Sequence, residues 1–266
     1  MSATVPTRTR SPFSRYRHSL WLLTTRDLKV RYSTSALGYL WSIVDPLVMA
    51  GIYWFVFTQV FNRGDAIGEA PYIVFLLTAL LPWMWFNGAV SDTTRAYLRE
   101  SKLIRSTKIP RTIWVARLVL SKGIEFVASI PVLIAFAIVT GAALHWEAVY
   151  FVLGIVLQAI LTMGVGLIVA PLVVFFRDLE RATKLALRFL FYASPIIYGL
   201  SDLPPELKFW ASFNPLAGIF GLYRAAFFPA QLDWFAIAVA GIMSIVILGV
   251  GILVFTRTER AVLKEI

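Results

Sequence analysis

Apolar residues are grouped along this chain into six long runs, and the charged residues are concentrated between these runs. A bilayer core about 30 Å thick requires about 20 apolar residues per helix, and most of the runs reach this order of length. The pattern therefore predicts an all-α integral membrane protein with six transmembrane helices. The predicted spans are residues 38–61, 72–92, 114–140, 148–176, 185–200 and 233–255, of which the fifth is the shortest.

Residues 1–37 precede the first span and are polar and basic over much of their length. Their second part, residues 15–37, has the mixed apolar and charged pattern of a moderately amphipathic helix. The sequence therefore predicts a cytoplasmic tail and an N-terminal amphipathic helix at the membrane interface. A single six-span transmembrane domain over residues 38–266 is expected to follow.

The segment between the last two spans, residues 201–232, is amphiphilic, rich in aromatic residues and interrupted by prolines. A simple loop outside the membrane has no need for so many aromatic side chains, which prefer the boundary between water and lipid. Irregular backbone at membrane depth is tolerated where protein or a water-filled cavity covers it. We expect two short re-entrant helices here, broken near Asn214 and Pro215.

The composition agrees with a membrane protein and predicts its orientation. Hydrophobic residues make up 59% of the 266 residues, charged residues make up 15%, and the mean hydropathy is +0.74, which excludes an ordinary soluble domain. Of the 25 Lys and Arg residues, 21 lie in residues 1–40, the loops 93–117 and 177–188 and the C-terminal tail, against 3 in the alternate loops. Because basic residues accumulate on cytoplasmic loops, both termini are predicted to be cytoplasmic. This topology and contact with membrane lipids account for the net charge of +10, so nucleic acid is not an expected partner.

The residues that most enzymes and ATPases need are missing from the sequence. No Gly-Lys dipeptide occurs, so the chain has no P-loop for a nucleotide. There is no cysteine, and the histidines, His18 and His145, are predicted to lie on opposite sides of the membrane, so no metal site is expected. Of the ionisable residues in the spans, Asp45 is isolated, while the i,i+3 spacing of Lys122 and Glu125 predicts a structural ion pair.

Four blocks of sequence resemble the permease subunits of ABC exporters in the polysaccharide, O-antigen and teichoic-acid branch. They are RDLKVRYSTSALGYLWSIVDP at 26–46, RESKLIRSTKIPRTIW at 99–114, FFRDLERATKLALRFLFYASPIIYG at 175–199 and NPLAGIFGLYRAAFF at 214–228. The first block is the most specific, because apolar helices resemble one another by composition alone. Together with six spans and an amphipathic N-terminal helix, the resemblance covers almost the whole chain.

The resemblance implies a permease in the bacterial inner membrane that pairs with a second copy of itself. Two separate nucleotide-binding ATPase subunits would hold ATP and Mg²⁺, so this chain would be neither an enzyme nor the holder of a cofactor. The implied substrate is a polysaccharide or teichoic-acid-type polymer linked to polyprenyl diphosphate. The permease pair would pass this polymer outward through a pore between the two copies.

The basic loop after the second span is the implied contact for the ATPase, with a second contact in the 177–188 loop. Leu103, Ile104 and Ile109 are expected to be exposed in this cationic loop, where only a partner's groove would cover them. The residues assigned to ATPase coupling are Arg99, Lys102, Leu103, Ile104, Arg105, Ile109, Arg111, Arg177, Asp178 and Glu180.

Two further groups of residues are candidates for contact with the substrate. Aromatic rings away from the membrane boundary can stack on the apolar C–H faces of sugars without holding them by charge. The expected pore-lining aromatic residues are Tyr53, Trp54, Phe57, Trp83, Trp85, Phe86, Tyr192 and Tyr198. Arg26, Lys29 and Arg31 on the interface helix are candidates for binding the diphosphate or a lipid headgroup.

Three other functions remain open at this point. The first keeps the ABC architecture and changes the cargo to a drug or a simple lipid. The second is a polytopic enzyme that acts on lipid-linked sugars, and the third is a secondary transporter. A neighbouring gene for a nucleotide-binding subunit favours either ABC interpretation, and intrinsic activity of the purified chain on a lipid-linked sugar favours the enzyme.

Overall fold

The structure, a computed structural model, describes residues 12–33, 40–60, 66–67, 70–107 and 109–266. Within these residues the chain is almost entirely helical. The α-helices are α1 Pro12–Ser33, α2 Trp41–Phe55, α3 Tyr72–Thr93, α4 Ala96–Arg99, α5 Ser101–Ser106, α6 Ile113–Thr140, α7 Tyr150–Phe175, α8 Leu179–Ala193, α9 Pro205–Ala211, α10 Pro215–Arg224 and α11 Trp234–Glu265. The all-α prediction is confirmed apart from one antiparallel pairing of Ala66–Ile67 with Ala70–Pro71.

Four helical stretches of the described residues are long and apolar enough to cross a membrane: Tyr72–Thr93, Ile113–Thr140, Trp146–Phe175 and Trp234–Glu265. They coincide with the predicted second, third, fourth and sixth spans. The third of them begins with a 3₁₀ turn at Trp146–Val149. The predicted first span corresponds to α2, of which Val44–Phe55 is a shorter apolar helix, and to the π-helical turn Val56–Val60 that continues it.

The fifth predicted span is helical only in its first part. The helix in this region, α8, runs from Leu179 to Ala193 and is followed by non-helical backbone, whereas the prediction was residues 185–200. Ser194 ends the helix in an extended conformation because it precedes Pro195, and a residue before proline avoids the helical region. Hydropathy alone predicted a helix that begins too late, because the charged residues in the first turns of α8 lower the mean hydropathy there.

The core is organised around α3, which packs against α2, α6, α7, α8 and α10. Most of the residues of α3 are buried, from Tyr72 at its start to Thr93 at its end. The most extensive helix crossing joins α7 and α11, where a Cβ atom built on Gly164 would lie 2.6 Å from the backbone nitrogen of Leu248. Glycine at this position therefore lets the two long helices approach at backbone distance.

The two ends of the helix bundle differ in chemistry. We call the end that carries α4 and α5, with the last turns of α3 and α7 and the first turns of α6 and α8, the α5 end. The opposite end carries α9 and α10 and is called the α10 end. Asn214 caps α10 by accepting a hydrogen bond from the Leu216 backbone N–H at 3.0 Å, so the two short helices separate at the predicted break. Every residue from Leu216 to Arg224 is buried, whereas Trp210 on α9 is 71% exposed.

Candidate functional site

A groove of about 510 Å³ runs between α2, α3 and α8. The lining residues of α8 recur at helical spacing, so they share one face of that helix, and those of α3 do the same. The lining residues are Met49 and Tyr53 on α2, Leu80, Trp83, Met84, Asn87 and Ser91 on α3, and Lys184, Leu187, Arg188, Phe191 and Tyr192 on α8. The groove is polar toward the α5 end and aromatic farther along.

Phe191 is the centre of the aromatic part of the groove. Its ring stacks on Tyr53 with a centroid separation of 5.7 Å and meets Trp83 edge to face at 5.5 Å. Tyr192 is also in edge-to-face contact with it at 5.1 Å, and Trp83 contacts Phe86 at 5.9 Å. Helices α2, α3 and α8 therefore contribute to one continuous set of rings. Sequence reasoning missed Phe191, although it lies one residue from the predicted Tyr192.

The predicted aromatic residues divide between this groove and other positions. Tyr53, Trp83 and Tyr192 line the groove, and Phe86 contacts it through Trp83. Trp85 instead points toward α6, where its indole N–H donates to the Val119 carbonyl at 3.0 Å.

Two more of the predicted rings, Trp54 and Tyr198, lie away from the lining. Trp54 is 38% exposed and is not among the lining residues. The Tyr198 hydroxyl donates to the Tyr192 carbonyl at 3.3 Å beyond the end of α8. The side chain of Phe57 lies outside the described part of the chain.

A second cavity, a charged cleft of about 910 Å³, opens at the α5 end beside the groove. Ser91 and Lys184 line both cavities, so the groove and the charged cleft are continuous. Buried deepest in the charged cleft is Arg117 of α6, whose side chain is 3% exposed. One of its terminal nitrogens lies 2.6 Å and 2.7 Å from the two carboxylate oxygens of Asp27 on α1. A second carboxylate, that of Glu100, lies 3.5 Å from the other terminal nitrogen.

The arginines predicted to bind the diphosphate are already paired within the chain. Arg26 donates to Glu100 at 2.5 Å. Arg31 donates to Asp92 at 2.6 Å and lies 3.3 Å from Glu125. Lys29 is exposed and is not among the residues that line the charged cleft. The three predicted residues therefore do not form one open cationic patch.

The predicted ion pair inside the third span is confirmed, because the Lys122 ammonium lies 2.8 Å from the Glu125 carboxylate. Both side chains line a polar crevice of about 340 Å³, together with Asp45 and Arg31. A Cβ atom built on Gly88 would lie 3.1 Å from Lys122 Cε, so α3 leaves room for this lysine stem. Two positive and two negative side chains share the crevice, which leaves it without net charge.

Comparison with known proteins identifies the family of this chain. Residues 18–228 match the family described as ABC-2 type transporter. The chain belongs to the ABC-2 type transporter family.

Several members of the family are similar over most of their length. An O-antigen export system permease protein RfbA of Klebsiella pneumoniae is 35% identical over 246 residues, which cover 90% of this chain and 92% of that protein. A protein of the same name from Myxococcus xanthus is 29% identical over 219 residues, or 82% of this chain and 83% of that protein. The polysialic acid transport protein KpsM of Escherichia coli is 25% identical over 265 residues, or 96% and 99%.

The basic loop of this ABC-2 transporter chain is held to the bundle by its apolar residues. The expectation that Leu103, Ile104 and Ile109 are exposed is wrong, since Ile104 is 1% exposed and the other two pack against the same core. The charged residues Lys102 and Arg105 are exposed on α5. Apolar residues of the loop thus attach it to its own chain and leave a mainly charged outer surface.

The second predicted contact lies nearby, at the turn between α7 and α8. Arg177 and Asp178 are exposed there, and the preceding Phe176 is 64% exposed. The sequence analysis did not single out Phe176, although it is an aromatic residue in a polar turn. Arg99 is exposed, while Arg111 is half-buried and lies 3.8 Å from Glu259 of α11.

Glu180 joins α8 to the turn between α3 and α4. Its carboxylate accepts from Arg95 at 2.6 Å and from Lys184 at 2.7 Å. These two hydrogen bonds lower the pKa of Glu180 to about 2, because both favour the charged carboxylate. The residue predicted to contact an ATPase is therefore engaged by its own chain and stays ionised over the physiological range.

Proposed function

We propose that the chain is the membrane-spanning subunit of an ATP-driven exporter that moves a polyprenyl-diphosphate-linked polysaccharide across the bacterial inner membrane. The relatives' names point to O-antigen and polysialic acid transport. The observation that carries the proposal is the aromatic groove, in which the accessible rings of Tyr53 and Tyr192 offer faces for sugars and pack on the buried Phe191. None of the described residues that line it is a carboxylate, and few are charged, so a polymer can slide along it.

The proposed topology has six spans with both termini in the cytoplasm. Four long helices supply the second, third, fourth and sixth spans, and α2 with its π-helical turn supplies the first. The fifth consists of α8 beyond its charged first turn and of the non-helical residues after it, whose carbonyls at Ile196 and Tyr198 accept from Arg224 of α10. In this arrangement α1 lies at the cytoplasmic interface, and α9 and α10 enter the outer leaflet.

The proposed assembly contains a second copy of this chain and two ATPase subunits, which hold ATP and Mg²⁺. The ATPase is expected to contact the α5 end, where Lys102, Arg105, Phe176, Arg177 and Asp178 are exposed. Phe176 offers the apolar anchor that Ile104, being buried, does not provide.

The groove is tested by replacing its rings one at a time. Tyr53→Ala and Tyr192→Ala are expected to reduce polymer export at least about fivefold, because each removes a stacking face of about 1 kcal/mol or more. Phe55→Ala is the matched control, since Phe55 lies on the same helix, is 55% exposed and is not a lining residue. Export is measured as polymer that reaches the cell surface, at equal permease levels. Equal export by all three variants would contradict the groove as the polymer's path.

The ATPase contact is tested at surface residues, because an acidic residue at Ile104 would disrupt the core. Phe176→Asp and the charge reversal Lys102→Glu with Arg105→Glu are expected to reduce co-purification of the ATPase. Lys264→Glu, exposed near the end of α11, is a charge-matched control. Unchanged co-purification and unchanged substrate-stimulated ATP hydrolysis in correctly inserted variants would show that this surface is not the contact.

A further inference from the structure

The polar part of the groove contains two cations, Lys184 and Arg188, and no carboxylate lines the groove beside them. Arg188 has no side-chain hydrogen bond or ion pair to any described residue, and it lies one helical turn from Lys184 on the same face of α8. Asn87 and Ser91 of α3 line the groove opposite them, and neither side chain has a hydrogen-bond partner among the described residues. Four polar side chains with unused hydrogen-bonding capacity therefore converge where the groove meets the charged cleft.

Arg26 and Arg31 on α1 differ from this cluster in the number of carboxylates that they contact. Those arginines each contact two carboxylates, so their charge is already neutralised. Lys184 contacts Glu180, but this single carboxylate is shared with Arg95, so it neutralises only one of the three cations Arg95, Lys184 and Arg188. The groove thus has two positive charges and no negative one among the described residues that line it.

We infer that Lys184 and Arg188, with Asn87 and Ser91, bind the diphosphate of a polyprenyl-diphosphate-linked sugar, whose first sugar rings stack on the accessible rings of Tyr53 and Tyr192. This inference rests on the proposed export function and replaces the assignment of the diphosphate to the interface helix. Two cations match the two charges of a diphosphate diester, whereas an ordinary phospholipid phosphate has one. Amide and hydroxyl groups supply hydrogen bonds to the remaining phosphate oxygens.

The order of side chains along α8 fits one ligand of this kind. Lys184 and Arg188 come first, and Phe191 and Tyr192 follow within about 12 Å of helix length, at a rise of about 1.5 Å per residue. On α3, which runs the opposite way, Ser91 and Asn87 face the cations and Trp83 faces the rings. A diphosphate placed at Lys184 and Arg188 would therefore bring the sugar attached to it next to the aromatic part of the groove.

The test measures binding of undecaprenyl diphosphate to the purified full chain with its ATPase, in nanodiscs of phosphatidylcholine, by native mass spectrometry. The double variant Lys184→Gln with Arg188→Gln is expected to bind this probe at least about 100-fold more weakly, because two charge-assisted contacts are lost. Both side chains are exposed, so the variant is expected to fold. Arg181→Gln is the matched control, exposed on the same helix and not a groove residue, and is expected to bind within about twofold of wild type.

Two outcomes would overturn the inference. The first is equal binding of the probe by wild type and the double variant. The second is displacement of the probe by phosphatidylglycerol at comparable concentration, which would make the cluster a site for bulk anionic lipid. Failure of the proposed export function would be seen separately. Surface polymer would then persist after deletion of the gene for this chain, and no ATPase would co-purify with the chain from cells.

Discussion

Arg117 at the α5 end and Arg224 at the α10 end are both buried, but different groups stabilise their charges. Arg117 lies between the carboxylates of Asp27 and Glu100 and stacks on Trp114 with its guanidinium 4.9 Å from the ring centroid. Arg224 has no carboxylate within ion-pair distance among the described residues. It donates to the backbone carbonyls of Ile196 and Tyr198 instead.

The difference follows from the backbone that each arginine contacts. The chain from Ser194 to Gly199 is not helical, and the carbonyls of residues 196–198 would be unsatisfied at membrane depth without side-chain donors. Arg224 donates to Ile196 at 2.7 Å and to Tyr198 at 3.1 Å, and the Tyr72 hydroxyl donates to the intervening Ile197 at 2.9 Å. Three successive carbonyls are thereby satisfied.

At the α5 end the buried arginine, Arg117, links helices and does not donate to backbone carbonyls. Arg117 on α6 connects α1, through Asp27, with the residue that precedes α5, Glu100. This set of ion pairs is partly accessible, since the side chains of Asp27 and Glu100 are 14% and 19% exposed. We therefore expect the α5 end to depend on charge balance and the α10 end to depend on guanidinium geometry.

The largest effect is expected from Arg224→Met. Each buried carbonyl left without a donor costs about 1–3 kcal/mol, so the loss of two hydrogen bonds should lower the free energy of unfolding by about 2–6 kcal/mol. Arg224→Lys should recover only part of this, because an ammonium group cannot bridge two carbonyls and lie 3.7 Å over the Phe75 ring at once.

Thermal unfolding in detergent would measure this loss, with Arg257→Met, exposed on α11, as the control. A lysine variant as stable as wild type would mean that charge alone matters at the α10 end. The two buried arginines would then act in the same way.

An intermediate effect is expected from Arg117→Met, which leaves Asp27 with Arg26 at 3.3 Å as its remaining partner. Removing one partner of a buried ion pair costs about 3–5 kcal/mol. Because Asp27 is partly exposed, Arg117→Met should lower the free energy of unfolding by about 3 kcal/mol. If the α5 end depends on charge balance, Arg117→Met combined with Asp27→Asn should be more stable than Arg117→Met alone. Since the second change removes the unpaired carboxylate, it should restore part of the stability that the first one lost.

A double-mutant cycle in the same unfolding assay would measure this coupling. Additive losses would contradict an ion-pair role for Arg117. Arg117→Lys should also be milder than Arg224→Lys, because a lysine can still neutralise Asp27.

Hydropathy predicted four spans closely because each is a helix long enough to cross the bilayer within its own sequence. It misplaced the helix of the fifth span, which starts with charged residues and ends at Ser194 and Pro195. The break at Asn214 was predictable because a capping residue followed by proline is a local signal.

The site was predictable only in part. Tyr53, Trp83 and Tyr192 could be chosen because rings away from the membrane boundary are unusual. Their convergence on Phe191 depends on how α2, α3 and α8 pack, which no local pattern specifies. Arg26 and Arg31 on α1 pair with carboxylates 74 and 61 residues away in the sequence, so these two arginines looked free when they are paired.

The smallest effect concerns Glu180 at the exposed edge of the α5 end. Hydrogen bonds from Arg95 and Lys184 hold its pKa at about 2, below the usual 4.5. A carboxyl group with a lowered pKa adds stability that is present above its unfolded value and is lost as the pH falls toward the folded value. Wild type should therefore lose slightly more stability than Glu180→Gln between about pH 4.5 and pH 2, while the two should respond alike between about pH 6 and pH 8. Unfolding midpoints across both ranges would measure the difference. A divergence near neutral pH would mean that another group, and not this carboxylate, controls how the ion pairs at the α5 end respond to protons.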